Sequence, residues 1–257
     1  MSYFGFVSVF VLPPVLVLAL ALAADRGTDP VVRRRGLAAL GVYVVVALVW
    51  TVPWDRWVIG RGLWSYPDER VRAWWWGVPA EEFGFIVAQA CTVGLWTCLV
   101  AGRRARRWPS QPATARLRLV SAAGWTTVVV VAVPVAAAGP DSAFYLAALA
   151  AWCGVPAAVQ RAVGADVLRA ERGVRALAVL PPVAYLCAAD WWALTDGIWM
   201  ISPDLTAGLR PMGLPVEEVV FFLVTSLLLV DGLLLTIHPA VRTRVLRSEM
   251  VSAGTTQ

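Results

Sequence analysis

The stretches GVPAEEFGF at residues 77–85 and GLPVEEVVF at residues 213–221 share one pattern, Gly-x-Pro-x-Glu-Glu-x-x-Phe. In both copies, two adjacent glutamates open a long apolar run. Ionisable side chains are rare beside hydrocarbon because their burial is costly, and those that occur there usually serve a function. The repetition therefore bears on both the architecture of the chain and its chemistry.

The composition is that of a membrane protein. Of the 257 residues, 59% are hydrophobic and only 15% are charged, which lies outside the usual range of soluble domains. One membrane-spanning helix needs about 20 mainly apolar residues. The sequence therefore predicts seven spans, at about residues 3–24, 36–54, 80–101, 117–138, 142–160, 173–190 and 216–237.

The doubled motif belongs to a longer internal repeat. A shift in numbering of 135 aligns Asp55 with Asp190, Trp57 with Trp192, and Trp64 with Trp199. After a single inserted residue, a shift of 136 aligns the two glutamate pairs and also Phe85 with Phe221. The same shift carries spans one to three onto spans five to seven. We therefore predict an all-α integral membrane protein with two parallel three-helix repeats joined by a linker helix.

The repeat divides the chain into four parts. Residues 1–101 form the first repeat, 102–138 a basic loop and the linker helix, 139–239 the second repeat, and 240–257 a tail. An even number of crossings separates equivalent helices, so both repeats have the same orientation and are related by an axis along the membrane normal. The acids of both copies should then gather at one end of the bundle.

Arginine placement predicts the orientation in the membrane. With seven spans, the arginine-rich segments at 26–35, 103–118 and 161–175 and the tail all fall on one side. The positive-inside rule makes that side cytoplasmic and places the N-terminus outside, although the loop at 56–78 also carries four arginines. The net charge of +5 is explained by attraction to anionic membrane lipid,. Nucleic acid is not expected as a partner.

The paired glutamates are candidate catalytic acids. Glu81 and Glu217 fall near the third helical position, where a carboxylate can accept hydrogen bonds from free backbone N–H groups. One acid per helix satisfies that need, and neighbouring helical residues point about 100° apart. If one member of each pair caps the helix, the other should face the interior of the bundle. We keep all four as candidates: Glu81, Glu82, Glu217 and Glu218.

The chemistry available to such acids is proton donation. A carboxyl group in a water-poor setting favours its neutral form, and a neutral acid can protonate a weak base, even a carbon–carbon double bond. Asp55 and Asp190 could hold or relay that proton, and interfacial anchoring or pairing with arginine is an equally good interpretation. Asp231, which has no mate in the repeat, is predicted to be a polar packing contact.

Aromatic residues cluster beside the acids. For the duplicated tryptophans, an aromatic belt at the membrane surface competes with a second interpretation, in which their ring faces stabilise a cationic intermediate. Together with the motif phenylalanines they are the candidate substrate-binding residues: Trp57, Trp64, Trp192, Trp199, Phe85 and Phe221.

Several classes of protein are excluded by missing residues. All 22 basic residues are arginine, so no lysine is present to form a retinal Schiff base. The single histidine, His238, is predicted to be interfacial and remote from the acids, which rules out a histidine-based catalytic triad. No glycine-rich nucleotide motif or aspartate-rich diphosphate motif is found. We expect neither a cofactor nor a metal, which leaves acid chemistry on a hydrophobic substrate or no chemistry.

The duplicated motif resembles that of the small membrane lycopene cyclases of carotenoid-making actinobacteria, archaea and fungi. In many bacteria of that family two separate three-helix subunits act together, and this chain resembles their fusion. The resemblance covers residues 1 to about 240 and implies a multi-pass protein of a bacterial cell membrane. It also implies that the motif acids Glu81, Glu82, Glu217 and Glu218 take part in the reaction.

The family reaction would start with protonation of the terminal double bond of lycopene or a related acyclic carotenoid. The neighbouring double bond attacks the resulting cation, and loss of a proton leaves a six-membered ring, expected to be a beta ring, without net redox change. Contacts with other carotenoid enzymes are also implied. The alternatives are a proton-coupled carrier of a lipid or small solute, a non-catalytic scaffold, or a cyclase of a prenylated longer carotenoid.

Overall fold

The protein is described by a computed structural model over residues 1–105, 108 and 114–244. Within these residues, seven helices are long and apolar enough to cross a membrane. They are α1 (Tyr3–Ala24), α2 (Pro30–Gly60), α3 (Ala80–Arg104), α4 (Ala115–Ala138), α5 (Phe144–Ala170), α6 (Arg172–Thr195) and α7 (Val216–Ile237). The prediction of an all-α membrane protein with seven spans is confirmed.

Three helices, α2, α5 and α6, continue at least five residues past their predicted ends; α6 ends at Thr195, where residue 190 was predicted. Helix α2 begins at Pro30 because the Asp29 side chain accepts hydrogen bonds from two backbone N–H groups of the first turn, a strong start signal when proline follows. It continues to Gly60, six residues beyond the predicted end of the span. Asp55 and Trp57 therefore lie within a helix and not in the loop after it. Helix α5 likewise continues ten residues further than predicted, to Ala170.

Helices α3 and α7 occupy the centre of the bundle and contact each other. Helix α3 also packs against α1, α2 and α6, and α7 packs against α5, α6 and α2. The contacts of α3 and α7 therefore match between the repeats, with α1 corresponding to α5, α2 to α6 and α3 to α7. Helix α4 packs mainly on α5. Only 6% of its most apolar stretch is buried inside the protein, as suits a peripheral connector.

Short strands join the loops that precede the central helices. Strand β1 (Trp64–Ser65) pairs antiparallel with β4 (Met200–Ile201), with Trp64 opposite Ile201 and Ser65 opposite Met200. These strands occupy corresponding positions in the two repeats, so two copies of the same loop segment pair with each other. A second two-residue pair is formed by β2 (Trp74–Trp75) and β3 (Val78–Pro79). The starts of α3 and α7 are thereby held at the same end of the bundle.

Asp231 is more than a polar packing contact. Its buried carboxylate forms ion pairs with Arg161 at 2.9 Å and with Arg175 at 2.5 Å. In the first repeat, the positions equivalent to Asp231 and Arg175 are Leu95 and Leu40, which lie together in an apolar cluster. The second half of the chain therefore has an ionic cluster where the first half has hydrocarbon.

We expect Asp231→Ala to destabilise the protein by about 3–5 kcal/mol, because it leaves two arginines without their buried counter-ion. The aggregation temperature of the detergent-purified protein measures this effect. The matched control replaces all three charged residues by leucine (Arg161→Leu, Arg175→Leu and Asp231→Leu), which removes the unpaired charge and should be markedly less harmful. Equal destabilisation of the two variants would contradict the ion-pair explanation.

His238, predicted to be interfacial, directly follows the last residue of α7 and is covered by the protein. Its ring is 1% exposed and lies 4.7 Å from the ring of Trp108. Burial, and then the charge of Arg244, lower the pKa of His238 below its ordinary value, because a desolvated imidazolium is unfavourable. It remains at the end of the bundle that is remote from the glutamates.

Candidate active site

The two motif copies form the same turn into a helix. Gly77 and Gly213 have positive φ angles of 78° and 90°, a conformation that favours glycine and explains the first residue of the motif. The prolines precede the helices as their N-cap residues, and the helices begin at Ala80 and Val216, where the spans were predicted to start. The glutamates consequently occupy the second and third helical positions in both copies.

The first glutamate of each pair supports a loop. Glu81 accepts a hydrogen bond from the backbone N–H of Arg72 at 2.9 Å, and Glu217 accepts one from the N–H of Ala207 at 2.7 Å. The expectation that these residues cap their own helices is wrong, since both bonds go to the preceding loop. Their placement fixes each loop against the start of its central helix.

The second glutamate of each pair is held by tyrosines. The Tyr3 hydroxyl donates to Glu82 Oε2 at 2.6 Å and the Tyr66 hydroxyl donates to the same oxygen at 3.1 Å. On the other side, the Tyr145 hydroxyl donates to Glu218 Oε1 at 2.6 Å. Burial, and then the neighbouring Glu82, raise the pKa of Tyr66 well above its ordinary value. Its hydroxyl is therefore protonated and able to donate.

Glu82 and Glu218 line one shared cavity of about 30 Å³, which we call the chamber. The chamber brings both halves of the chain together and is walled mainly by aromatic rings. Its other lining residues are Tyr3, Trp64, Tyr66, Phe85, Asp190, Trp199, Phe221 and Phe222. Four of the predicted substrate-binding residues therefore lie beside the acids: Trp64, Trp199, Phe85 and Phe221.

The aspartates are buried and lack a cationic partner. Asp190 Oδ1 accepts from the indole N–H of Trp199 at 3.1 Å, while its Oδ2 has no hydrogen-bond partner in the described part of the chain. Asp55 is 1% exposed, and both of its oxygens are likewise unpartnered there. Within residues 1–105, 108 and 114–244, neither aspartate forms an ion pair with arginine. The alternative role as arginine partners is therefore unsupported.

Trp57 and Trp192 do not line the chamber. Trp57 is 42% exposed and contacts the ring of Phe144 at 5.3 Å, and Trp192 packs on Phe10 at 4.7 Å. The reason is helical geometry, because residues two apart on a helix point about 200° apart. Where Asp55 faces inward, Trp57 must face outward.

Known proteins share this chain's sequence over most of its length. The lycopene cyclase family model matches residues 142–234, which include the second glutamate pair. The lycopene beta-cyclase of Halobacterium salinarum is 36% identical over 239 residues, which cover 91% of this chain and 95% of that protein. The chain belongs to the lycopene cyclase family.

Longer relatives in the family come from fungi. The bifunctional lycopene cyclase/phytoene synthase of Sporisorium reilianum is 31% identical over 248 residues, which cover 90% of this chain and 34% of that protein. The protein of the same name from Neurospora crassa is 31% identical over 242 residues, covering 90% of this chain and 39% of the relative. No solved structure matches the chain.

The tyrosines of this lycopene cyclase family member were missed by sequence reasoning. Tyr3 and Tyr145 lie at the starts of α1 and α5, which are equivalent spans, but the shift in numbering between them is 142 and not 135. The difference of seven arises because α2, with 31 residues, is seven residues longer than its counterpart α6, with 24. Aligning each span separately would have paired the two tyrosines.

Among the residues that the structure describes, no three histidine, cysteine, aspartate or glutamate side chains are grouped so that they could hold a metal ion. The groups that the chamber offers for chemistry are carboxyl groups, hydroxyls and aromatic faces.

We expect Tyr145→Phe to lower ring formation on lycopene by about tenfold, since one lost hydrogen bond is worth about 1 kcal/mol and the Glu218 carboxyl would lose its orientation. Pigment analysis of lycopene-accumulating bacteria that express the variant measures this. The matched control is Tyr185→Phe, which removes a hydroxyl bonded to the Phe10 carbonyl at 2.6 Å but does not touch the chamber. An equal loss in both variants would argue against a role of Tyr145 in the site.

Proposed function

We propose that this chain forms six-membered rings, expected to be beta rings, at the ends of lycopene or a related acyclic carotenoid. The observation that carries the proposal is the pair Glu82 and Glu218, both buried in one aromatic chamber. The beta-cyclase activity named for the Halobacterium relative agrees with it. The reaction begins with a proton and needs no redox partner.

The proposed first step is proton transfer from a neutral glutamic acid to the terminal double bond. A carboxyl group held away from water favours its protonated form, and proton donation by a positioned side chain contributes about 10²–10⁴-fold to a rate. The neighbouring double bond then attacks the tertiary cation and closes the ring. A proton leaves an adjacent carbon, so the proton gained and the proton lost balance.

The walls of the chamber suit a cation. Trp64 and Trp199 are 7% and 8% exposed and both line the chamber. A desolvated cation over an aromatic face gains about 2 kcal/mol. We assign Asp190, whose Oδ2 is unpartnered in the described structure, as the group that receives or relays the departing proton. Asp55 is assigned the corresponding relay to Glu82.

We narrow the assignment of the remaining acids. Glu81 and Glu217 are proposed to position the loops and not to transfer protons, because each accepts a bond from a loop N–H. Glu82 and Glu218 are proposed as the acids of the reaction. Trp57 and Trp192 are proposed to face the surface of the bundle.

We further propose that residues 1–101 and 139–239 act as two repeats, with 102–138 as connector and 240–257 as tail, of which residues 245–257 lie outside the described structure. The matching contacts of α3 and α7 support this division. Ion pairs such as Arg103–Asp25 and Arg244–Asp166 join helix ends opposite the glutamates. That basic end is proposed to be cytoplasmic, with the N-terminus outside. Arg106, Arg107 and Arg247 of the basic segments are not among the described residues.

The proposed setting is a bacterial cell membrane in which the chain is surrounded by lipid and contacts other carotenoid enzymes. A proton-coupled carrier remains the rival function. Carriers that alternate access place their sites near the midplane of the bilayer, whereas the chamber lies at the starts of α3 and α7. That position favours the cyclase.

Expression in bacteria that accumulate lycopene tests the proposal. A cyclase converts the red acyclic pigment into ringed products, while a carrier or a scaffold leaves its chemical identity unchanged. The control is the double variant Glu82→Gln/Glu218→Gln, which should insert in the membrane and leave lycopene intact. Unchanged lycopene with the wild-type chain present in the membrane would overturn the proposed function. Expression in cells that accumulate a prenylated longer carotenoid tests the alternative substrate, because rings formed on that carotenoid would identify it.

A further inference from the structure

Two further cavities share lining residues with the chamber or with each other. The first, of about 80 Å³, shares Glu82, Phe85 and Phe221 with the chamber; we call it the passage. The second, of about 460 Å³, lies between α2, α5 and α7; we call it the groove. Passage and groove meet at four shared lining residues, which are Ala47, Thr51, Thr225 and Leu229.

We propose that groove and passage form a lateral channel through which the polyene chain of the substrate enters from the bilayer, so that its end reaches Glu82 first. This inference rests on the proposed function of the chamber. Its occupant is a long apolar hydrocarbon chain.

The lining of the groove fits such a chain. Val46 and Val159 at its rim are 50% and 60% exposed on faces that a bilayer would cover. Two of its polar side chains are bonded to backbone: Gln160 donates to the Leu228 carbonyl at 2.7 Å and the Trp152 indole N–H donates to the Trp50 carbonyl at 3.2 Å. A hydrocarbon lying there would not leave these groups unpaired.

The size of the chamber requires a channel of this kind. A cavity of about 30 Å³ leaves nearly all of a long carotenoid outside the chamber. The remainder has to continue away from the acids, and the passage continues from Glu82 towards the groove. One end of the substrate is therefore treated at a time, and the molecule must leave and turn before its second end reaches the acids.

The residues that line the passage differ from their equivalents in the second repeat. Thr51 and Ile86 line the passage. Their equivalents are Leu186 and Phe222, which are larger, 2% exposed, and part of the main apolar core. The second repeat thus has larger side chains at the positions that line the passage in the first.

Blocking the channel tests the inference. Ala47 lies at the junction of passage and groove, and we expect Ala47→Phe to lower ring formation at least tenfold per amount of folded protein in the membrane. The matched control is Val45→Phe on the same helix, at a residue that is 59% exposed and lines neither cavity; its activity should stay within twofold of the wild type.

A second variant avoids dependence on one substitution. The double variant Thr51→Leu/Ile86→Phe introduces the residue types that the chain already has at the equivalent positions of the second repeat. It should also lower ring formation at least tenfold. Full activity per folded protein in both channel variants would overturn the channel. Activity of the wild type separates the two claims, because a wild type that leaves lycopene unchanged refutes the proposed function, whereas an active wild type with active channel variants refutes only the channel.

Discussion

Glu82→Gln is expected to lower ring formation by at least about 10²-fold, the contribution of a positioned general acid, while Glu81→Gln keeps most of the activity. The two residues are neighbours and the substitution is the same. At position 82 a glutamine can still accept the hydroxyl of Tyr3, now bonded at 2.6 Å, so orientation is preserved. It has no acidic proton to give to an olefin.

At position 81 the same change removes nothing that the site needs. The amide oxygen of a glutamine can accept the Arg72 N–H that Glu81 now accepts at 2.9 Å, so the loop should stay in place. Quantifying cyclic and acyclic carotenoids against the amount of each variant in the membrane measures the difference. Equal activities of the two variants, whether both high or both low, would contradict the division of roles within the motif.

Glu218→Gln is expected to be as damaging as Glu82→Gln, with a loss of at least about 10²-fold in all ring formation. The reason is that both carboxyl groups line the same chamber, so the halves of the chain share one site. Glu217→Gln is the matched control, because its amide oxygen can still accept the N–H of Ala207.

Two independent sites would give a different result. If each half of the chain cyclised carotenoid ends alone, either single variant would leave the other half intact and keep about half of the wild-type rate. The product profile of each single variant, compared with that of the double variant, measures this. Substantial ring formation in either single variant would contradict the shared chamber.

The sequence determines the architecture more fully than the site. Seven apolar runs and a motif repeated in the second half of the chain predict the helices and bring the glutamates to one end, because hydropathy and periodicity are local properties. The ends of α2, α5 and α6 were missed because hydropathy does not register a polar helical extension. That error also placed Trp57 and Trp192 in a loop, where they would have been free to face the acids.

The partners of the acids depend on contacts distant in sequence. Tyr3 and Glu82 are 79 residues apart, and no local pattern indicates that α1 packs against α3 at that height. Helical geometry predicts that the members of a glutamate pair face different directions. It does not predict that Glu81 accepts a hydrogen bond from the loop residue Arg72, because the position of that loop depends on the tertiary structure. Likewise, the ion pairs of Asp231 join three helices, and only packing reveals them.

The state of the carboxyl groups is the claim on which the proposed reaction depends. Infrared difference spectra at neutral pH between membranes of the wild type and of Glu82→Gln, and likewise of Glu218→Gln, observe it directly. We predict that at least one of the two substitutions removes a band of a protonated carboxyl group. Difference spectra in which both substitutions remove only bands of ionised carboxylate would contradict the account.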